Sequence, residues 1–542
     1  MAGEFAYSIA MLTLRDRQTN PLFDPWEHLG AKRRRLLDRC WAGVFREQLL
    51  DHLPASKLSG HFVESFGRPS KDLHVVLGAL ILQQLHDLTD AATVEAVAFN
   101  IAWHYALDIQ GISDAYVCER TLRTYRRWVI EHGLDEELFK QLTDRLIQAF
   151  AVDTAQQRID STAVQSAMRT MTRLGILVDT VSKFLRELAR RYPELHASVD
   201  RDVMRSFVER KGDGCFAFLK PSESKQQLPE VAKTLYELVA TFRETPAAAL
   251  ESYQLLARVC DEQCETGTDE DGRLVVSVKA PATIPSDTVQ NPSDPDASYN
   301  THRGVGYLVQ VMETYTDDKP AEEGDAAELD LITHVAVHKM TKHDSQALGP
   351  ALDDVASRGV EPVVILGDSH YGSTDGVRRI AERGAEVLAP AMPPKGYKLG
   401  RLTLEDFELD TDGIVVRCPA GNSPVDTSIG KSKIEIHFDQ SLCGACFDCH
   451  RCPGYANPKG RTISRWQYTP ARVAQYRRRL SQQSADFKER YRWRAGIEAT
   501  MSRLKHQMGL AKLRVRGKAA VKYAVFLRAL GLNIRRAAVY SA

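Results

Sequence analysis

Apolar positions recur every three to four residues through most of the first 150 positions. The runs are KRRRLLDRCWAGVFREQLLDHL from Lys32, DLHVVLGALILQQLHDL from Asp72, ATVEAVAFNIAWHYALDI from Ala92 and ERTLRTYRRWVIEHG from Glu119. That spacing gives each run one apolar stripe and predicts an all-α segment. After Asp153 the period changes, and TAQQRIDSTAV reads as a short strand with Ile159 between polar neighbours and Asp160 at its end. Amphipathic helical runs return over roughly 165–265, as in RLGILVDTVSKFLRELARRY and LPEVAKTLYELVATFRET, and form an insertion between strands. The stretch 280–300 is rich in Pro, Asp, Ser and Asn and predicts a loop. GVGYLVQVMETY and DLITHVAVHKM then alternate as strands do, on either side of a solvated acidic tip. A helix follows, HDSQALGPALDDVASRG, and then EPVVILG, a continuous apolar run between Pro362 and Gly367 that suits a buried central strand. TDGVRRIAERG and AEVLAPAM add one more helix and strand.

These patterns predict an α/β chain, α+β overall, in five parts. Residues 1–150 form an all-α N-terminal domain for DNA binding or dimerisation. Residues 151–164 and 290–395 supply the strands of a mixed-sheet core. Residues 165–289 are a mainly helical insertion and loop, 396–468 a Cys-rich β insertion, and 469–542 a basic helical return to the core. A chain of 542 residues exceeds one compact core, so several domains are expected.

The formal net charge of zero conceals an uneven distribution. Residues 459–542 hold 21 Lys and Arg against three acids, Asp486, Glu489 and Glu498. A basic block with helical periodicity and interleaved aromatic residues reads as a surface for a polyanion. Arg120, Arg123, Arg126 and Arg127 on one N-terminal helix are a second candidate for DNA contact, against the alternative of a solvated face. The amino-terminal residues lack the charge and apolar pattern of a secretory leader, and the longest apolar run, near 75–85, is too short to span a bilayer. The expected location is cytoplasmic, at the nucleoid, without membrane contact.

Three carboxylates stand out by position. Asp160 and Asp368 both project from strand ends, a usual place for reacting groups in α/β sheets. Glu498 lies in YRWRAGIEATMSRLK, where Tyr491, Arg494, Glu498 and Lys505 share one helical face. An Arg494–Glu498 ion pair is the plain structural account of that acid. An acid at the centre of a stripe that follows phosphates weakens binding, so its presence there points instead to a metal ion. Carboxylates and water suit Mg²⁺ or Mn²⁺, and two such ions promote in-line displacement at phosphorus.

The spacing Y-(2)-R-(3)-E-(6)-K, met by Tyr491, Arg494, Glu498 and Lys505, resembles the signature of DDE transposases of prokaryotic insertion sequences. Ile159–Thr162, an apolar residue followed by Asp-Ser-Thr, and Gly367–Gly372, Gly-Asp-x-x-Tyr-Gly, resemble the other two motifs of that family. DPDASYNTHRGVGYLVQVMET, from Asp294, is similar to the segment leading into its second catalytic strand. The resemblance implies a ribonuclease-H-like core in which Asp160, Asp368 and Glu498 bind two Mg²⁺ or Mn²⁺ ions. Tyr491, Arg494 and Lys505 would contact DNA, and the protein would act as a homodimer on the terminal inverted repeats and on target DNA. Its implied reaction is cleavage of the element's ends followed by strand transfer. The alternatives are a ribonuclease-H-like nuclease without strand transfer and a catalytically inactive DNA-binding regulator derived from a transposase.

Five of the ten cysteines fall between Cys418 and Cys452. A structural zinc site takes four, and the spacing is that of a zinc-ribbon-like insertion. By the pattern of relatives the ligands would be Cys418, Cys443, Cys446 and Cys452, with Cys449 as a substitute and His450 a weaker one. Cys40, Cys118, Cys215, Cys260 and Cys264 read as structural. Among six histidines near the trio in sequence, His302, His334, His338, His343, His370 and His506, His370 lies closest to a motif acid. Trp493 suits either packing or stacking on a base.

Overall fold

The computed structural model describes residues 24–62, 70–111, 114–209, 221–317, 328–394, 396–454 and 464–541. The amino-terminal run, Pro69, Cys215 and most of the acidic tip, 318–327, lie outside these residues.

A mixed sheet lies at the centre. Its strands are β1 (Gln156–Val164), β2 (Gly304–Thr314), β3 (Ile332–Lys339), β4 (Val364–Leu366) and β5 (Glu386–Leu388), in spatial order β3-β2-β1-β4-β5. β1 runs antiparallel to β2, with Asp160 opposite Val311, and parallel to β4, with Arg158 opposite Leu366. β3 is antiparallel to β2 and β5 is parallel to β4. The short strand Ser298–Asn300 pairs with the first residues of β2. The apolar run VVILG therefore occupies an inner strand, as its composition predicts. β1 is longer than the sequence suggests: it continues four residues past Asp160 because β2 pairs with it as far as Val164. Asp160 is thus a mid-strand residue whose side chain reaches the site from within the sheet.

The N-terminal helices and the sheet share one continuous apolar core. Helices α1 (Leu73–Leu85) and α2 (Leu134–Ala149) pack against the C-terminal helix Lys518–Tyr540, which also covers β3. That last helix is buried along nearly its whole length, Val521 to Ala538. Its Asn533 closes a two-way amide bond with Ile332 of β3, accepting from the backbone N–H at 2.8 Å and donating to the C=O at 2.9 Å. Residues 171–289 carry a second, separate core built on the helices Arg173–Arg191, Pro221–Phe242 and Glu251–Gln263. A third core, around Phe407, Ile436, Trp466 and Tyr468, holds the Cys-bearing region together.

Several cations that the sequence assigns to a polyanion surface turn inward. Arg528 is buried against Asp87 (2.7 Å), and Arg536 reaches the fully buried Glu313 (2.8 Å). Arg478 donates to the carbonyls of Gly372 (2.6 Å) and Ala389 (2.8 Å), fixing the loops after β4 and β5. In the N-terminal helix Arg126 is taken up by Asp90 and Gln83, whereas Arg123 and Arg127 stay exposed beside Glu119 and Glu131 of the same helix. Arg503, Lys512, Arg514, Arg516 and Lys518 remain exposed. Among the described residues no helix is long and apolar enough to cross a membrane.

Candidate active site

Glu498 reaches the sheet through an interrupted helix. Ala485–Tyr491 passes into a 3₁₀ turn, Arg492–Ala495, then α3 (Gly496–Ser502), then a π turn, Arg503–Gln507. The junction residues Tyr491, Arg492, Ala495 and Ser502 all keep right-handed helical dihedrals, so the rod continues although its hydrogen-bond register changes three times. Gly496 allows the close approach to β1: a Cβ there would lie 2.1 Å from Arg158 Nη1. Arg158 is itself immobilised, donating to Glu313 (2.7 Å), Asp330 (3.2 Å) and the Trp493 carbonyl (3.0 Å). Thr500 donates to Glu313 at 2.7 Å and accepts from Arg536. One buried acid on β2 thus ties β1, the Glu498 helix and the C-terminal helix together. Burial works against its charge, but the Arg536 and Arg158 guanidiniums hold the Glu313 carboxyl below its ordinary range.

The three predicted carboxylates come together where β4 ends beside the middle of β1, with Asp160 within β1 and Asp368 in the loop after β4. Arg494 bridges two of them, donating through Nη2 to Asp160 Oδ2 at 2.8 Å and through Nη1 to Glu498 Oε1 at 2.7 Å. The plain ion pair anticipated for Glu498 is therefore present, and its guanidinium extends to a second acid of the trio. Asp160 also accepts from the Ser161 N–H at 2.8 Å. Its carboxyl is pushed above the usual range, first by burial and further by the charges of Asp368 and Asp344, with Arg494 opposing. Asp368 is held in its loop by the His370 N–H at 2.9 Å. Glu498 differs in exposure: 66% of its side chain faces solvent, against 17% for Asp160.

Tyr491 points at the same edge, donating from its hydroxyl to the Gly367 carbonyl at 3.1 Å. Burial raises its hydroxyl above the ordinary value, and the nearby Asp368 and Asp160 add to that. Arg494 is raised too: burial pulls its guanidinium down, but Asp160, Tyr491, Glu498 and Asp368 outweigh it. Lys505 sits in the π turn, and among the described residues no acid lies within ion-pair distance of it. Trp493 packs beside Tyr315, Leu366 and Leu388 with Arg492 over its ring, a packing role. Two residues outside the predicted set also join the edge. Asp344, in the turn after β3, is buried, and Tyr371, after β4, accepts from Gln310 at 3.2 Å. No local pattern distinguishes Asp344, which follows a strand as countless turn acids do.

Among the described residues no three His, Cys, Asp or Glu side chains are arranged to hold a metal ion. At the trio the bridging guanidinium of Arg494 occupies the positive position between Asp160 and Glu498. A cavity of about 710 Å³ lies on the far side of α3, lined by Arg158, Gly496, Thr500, Arg503, Arg535 and Arg536 among others; none of the three carboxylates lines it. In the third core, Cys418, Cys443, Cys446, Cys449 and Cys452 all line one small cavity of about 30 Å³, and His450 does not. Burial, followed by the neighbouring Cys452, Cys418 and Cys446, pushes the Cys443 thiol up to about 11.

With this geometry in hand, comparison with known families is informative. Residues 417–538 match the family of the transposase DDE domain, and residues 36–128 match a transposase domain (DUF772). The first match contains Glu498 and the five cysteines, while Asp160 and Asp368 lie outside both. No curated protein and no solved structure matches the chain. The two matches support the class of DNA-processing transposases. Within that class the two matches support an insertion-sequence DDE transposase.

Proposed function

We propose that this protein binds the ends of an insertion sequence and catalyses Mg²⁺-dependent strand cleavage and strand transfer from a ribonuclease-H-like core. The observation that carries the reading is the Arg494 guanidinium bonded to both Asp160 and Glu498, with Asp368 close enough to perturb Asp160. Acids from three distant parts of the chain converge beside one mixed sheet, which supports a ribonuclease-H-like reading of the core. Their all-oxygen donor set fits Mg²⁺ or Mn²⁺. Two such ions on Asp160, Asp368 and Glu498 would supply activation of the attacking oxygen and stabilisation of the leaving one.

The chain's own residues have distinct tasks in this reading. Arg494 exchanges its carboxylate partners for phosphate oxygens as DNA arrives, because a guanidinium pairs equally well with either. Lys505, with no acid within ion-pair distance among the described residues, adds a second phosphate contact. Tyr491, anchored on Gly367, lies beside the scissile nucleotide. In the first step water attacks the phosphodiester at the element's end and a 3′-hydroxyl leaves. In the second step that hydroxyl attacks a target phosphodiester and displaces the target's own 3′-oxygen. The N-terminal helices, which include the 36–128 match, are assigned to end recognition, and a homodimer would hold two ends together.

The test is a strand-transfer assay with duplexes carrying the DNA that flanks the gene. Precut ends are expected to join to a plasmid in Mg²⁺. Nicking without joining would reduce the reading to a nuclease, and neither would refute it.

For the cysteines we propose a structural Zn²⁺ on Cys418, Cys443, Cys446 and Cys452, supported by the small cavity that they line together and by their spacing. Purified protein is expected to hold about one zinc per chain. Chelation should unfold the region around Trp466, read by its fluorescence, and leave the central sheet folded. Zinc-free protein with unchanged Trp466 emission on chelation would overturn this assignment.

A further inference from the structure

The reaction proposed above leaves one cationic group at the strand edge without a task. Arg303 stands in the hairpin turn that joins Ser298–Asn300 to β2. The turn is well fixed: Asn300 Oδ1 accepts from the backbone N–H groups of His302 (2.9 Å) and Arg303 (3.2 Å). Gly306 then brings β2 so close to the end of β1 that a Cβ would lie 2.2 Å from the Val164 carbonyl oxygen.

Facing this turn is Asp344. Its side chain is 7% exposed, its Oδ2 lies 3.4 Å from Arg303 Nη2, and its Oδ1 has no hydrogen-bond partner among the described residues. A buried carboxylate needs a counter-charge, and among the described residues Arg303 alone is within ion-pair distance. The turn that carries Asp344 also touches the loop of Asp368, since the His343 ring meets the His370 ring edge-on at 5.4 Å. The Arg303–Asp344 pair thus belongs to the same strand edge as Asp160 and Asp368, but it arrives on strand-end turns and not on the Glu498 helix.

An arginine held from behind by a buried acid presents its remaining N–H donors in a fixed direction, the arrangement that suits a phosphate. Arg303 has the accessibility for this, with 32% of its side chain in solvent. We infer that Arg303, positioned by Asp344, is a further phosphate-binding residue of this site, gripping the DNA backbone from the strand-end turns while Arg494 grips it from the helix. The inference rests on the DNA-cleaving function proposed above.

The experiment measures DNA affinity against salt for the full chain and its variants, using the flanking-DNA duplex and an unrelated duplex. Arg303→Gln is expected to lower the slope of log K on log salt by about 0.9, the loss of one phosphate contact, on both duplexes. Arg303→Lys should keep the slope. Asp344→Asn should weaken binding although it removes a negative charge near DNA, and should add nothing in the Arg303→Gln background. A full slope in Arg303→Gln, or tighter binding by Asp344→Asn, overturns the inference. Arg303→Gln alone decides the matter if Asp344→Asn fails to fold, because Arg303 lies in a partly exposed turn. Wild-type protein that neither binds nor cuts DNA would instead defeat the underlying function.

Discussion

Glu498→Gln is expected to bind DNA as tightly as the wild type and to cut it at least about 100-fold more slowly in Mg²⁺. The floor comes from outer-sphere partners of metal ligands, whose loss alone costs 10- to 100-fold, so the loss of a ligand should cost more. Glu498 is the best of the three acids for this test. Its side chain is two-thirds exposed and its pair with Arg494 lies at the surface, where such pairs add little stability. Asp160→Asn is less clean, because it also removes the buried end of the Arg494 bridge. Cleavage by purified Glu498→Gln at the wild-type rate would remove this residue from the chemistry.

Glu313→Gln should be the most destabilising change of a polar residue near the site. The carboxylate is fully buried and answers two arginines at once, Arg158 and Arg536, besides accepting from Thr500. Neutralising it leaves two guanidiniums short of their counter-ion, and breaking a buried ion pair in this way costs about 3–5 kcal/mol. Denaturant unfolding would measure the loss, and an unchanged midpoint would contradict it. Replacing Arg158, Glu313 and Arg536 together by apolar residues of similar volume is expected to recover much of the stability. Cleavage should stay low in that triple variant, because Arg158 also fixes the Glu498 helix through the Trp493 carbonyl.

The comparison of sequence with structure follows one physical rule: features set by neighbours along the chain were legible, and those set by distant partners were not. VVILG reads as an inner strand because an unbroken apolar run has two faces to bury, and it is one. The spacing of Tyr491, Arg494 and Glu498 survives a 3₁₀ turn within their own segment, because helical dihedrals persist through it. The length of β1 beyond Asp160 depends on β2, some 150 residues later, so a local reading ends the strand too soon. The inward turn of Arg528 and Arg536 was equally hidden, since their acids, Asp87 and Glu313, lie far back in the sequence. Asp344 carries no local signal, and it and Arg303 become neighbours only when a hairpin and a strand-end turn fold onto one edge.

The helix Lys518–Tyr540 has a consequence for biosynthesis. It fills the space between α1, α2 and β3, yet it is translated after all of them. The faces of those earlier elements that meet it, Leu85 of α1 and Phe139 of α2 among them, must wait on the ribosome without their common partner. Emergence of that helix is then the event that closes the core, so a chain cut short before Lys518 is expected to be sticky and protease-sensitive, without a completed acidic edge.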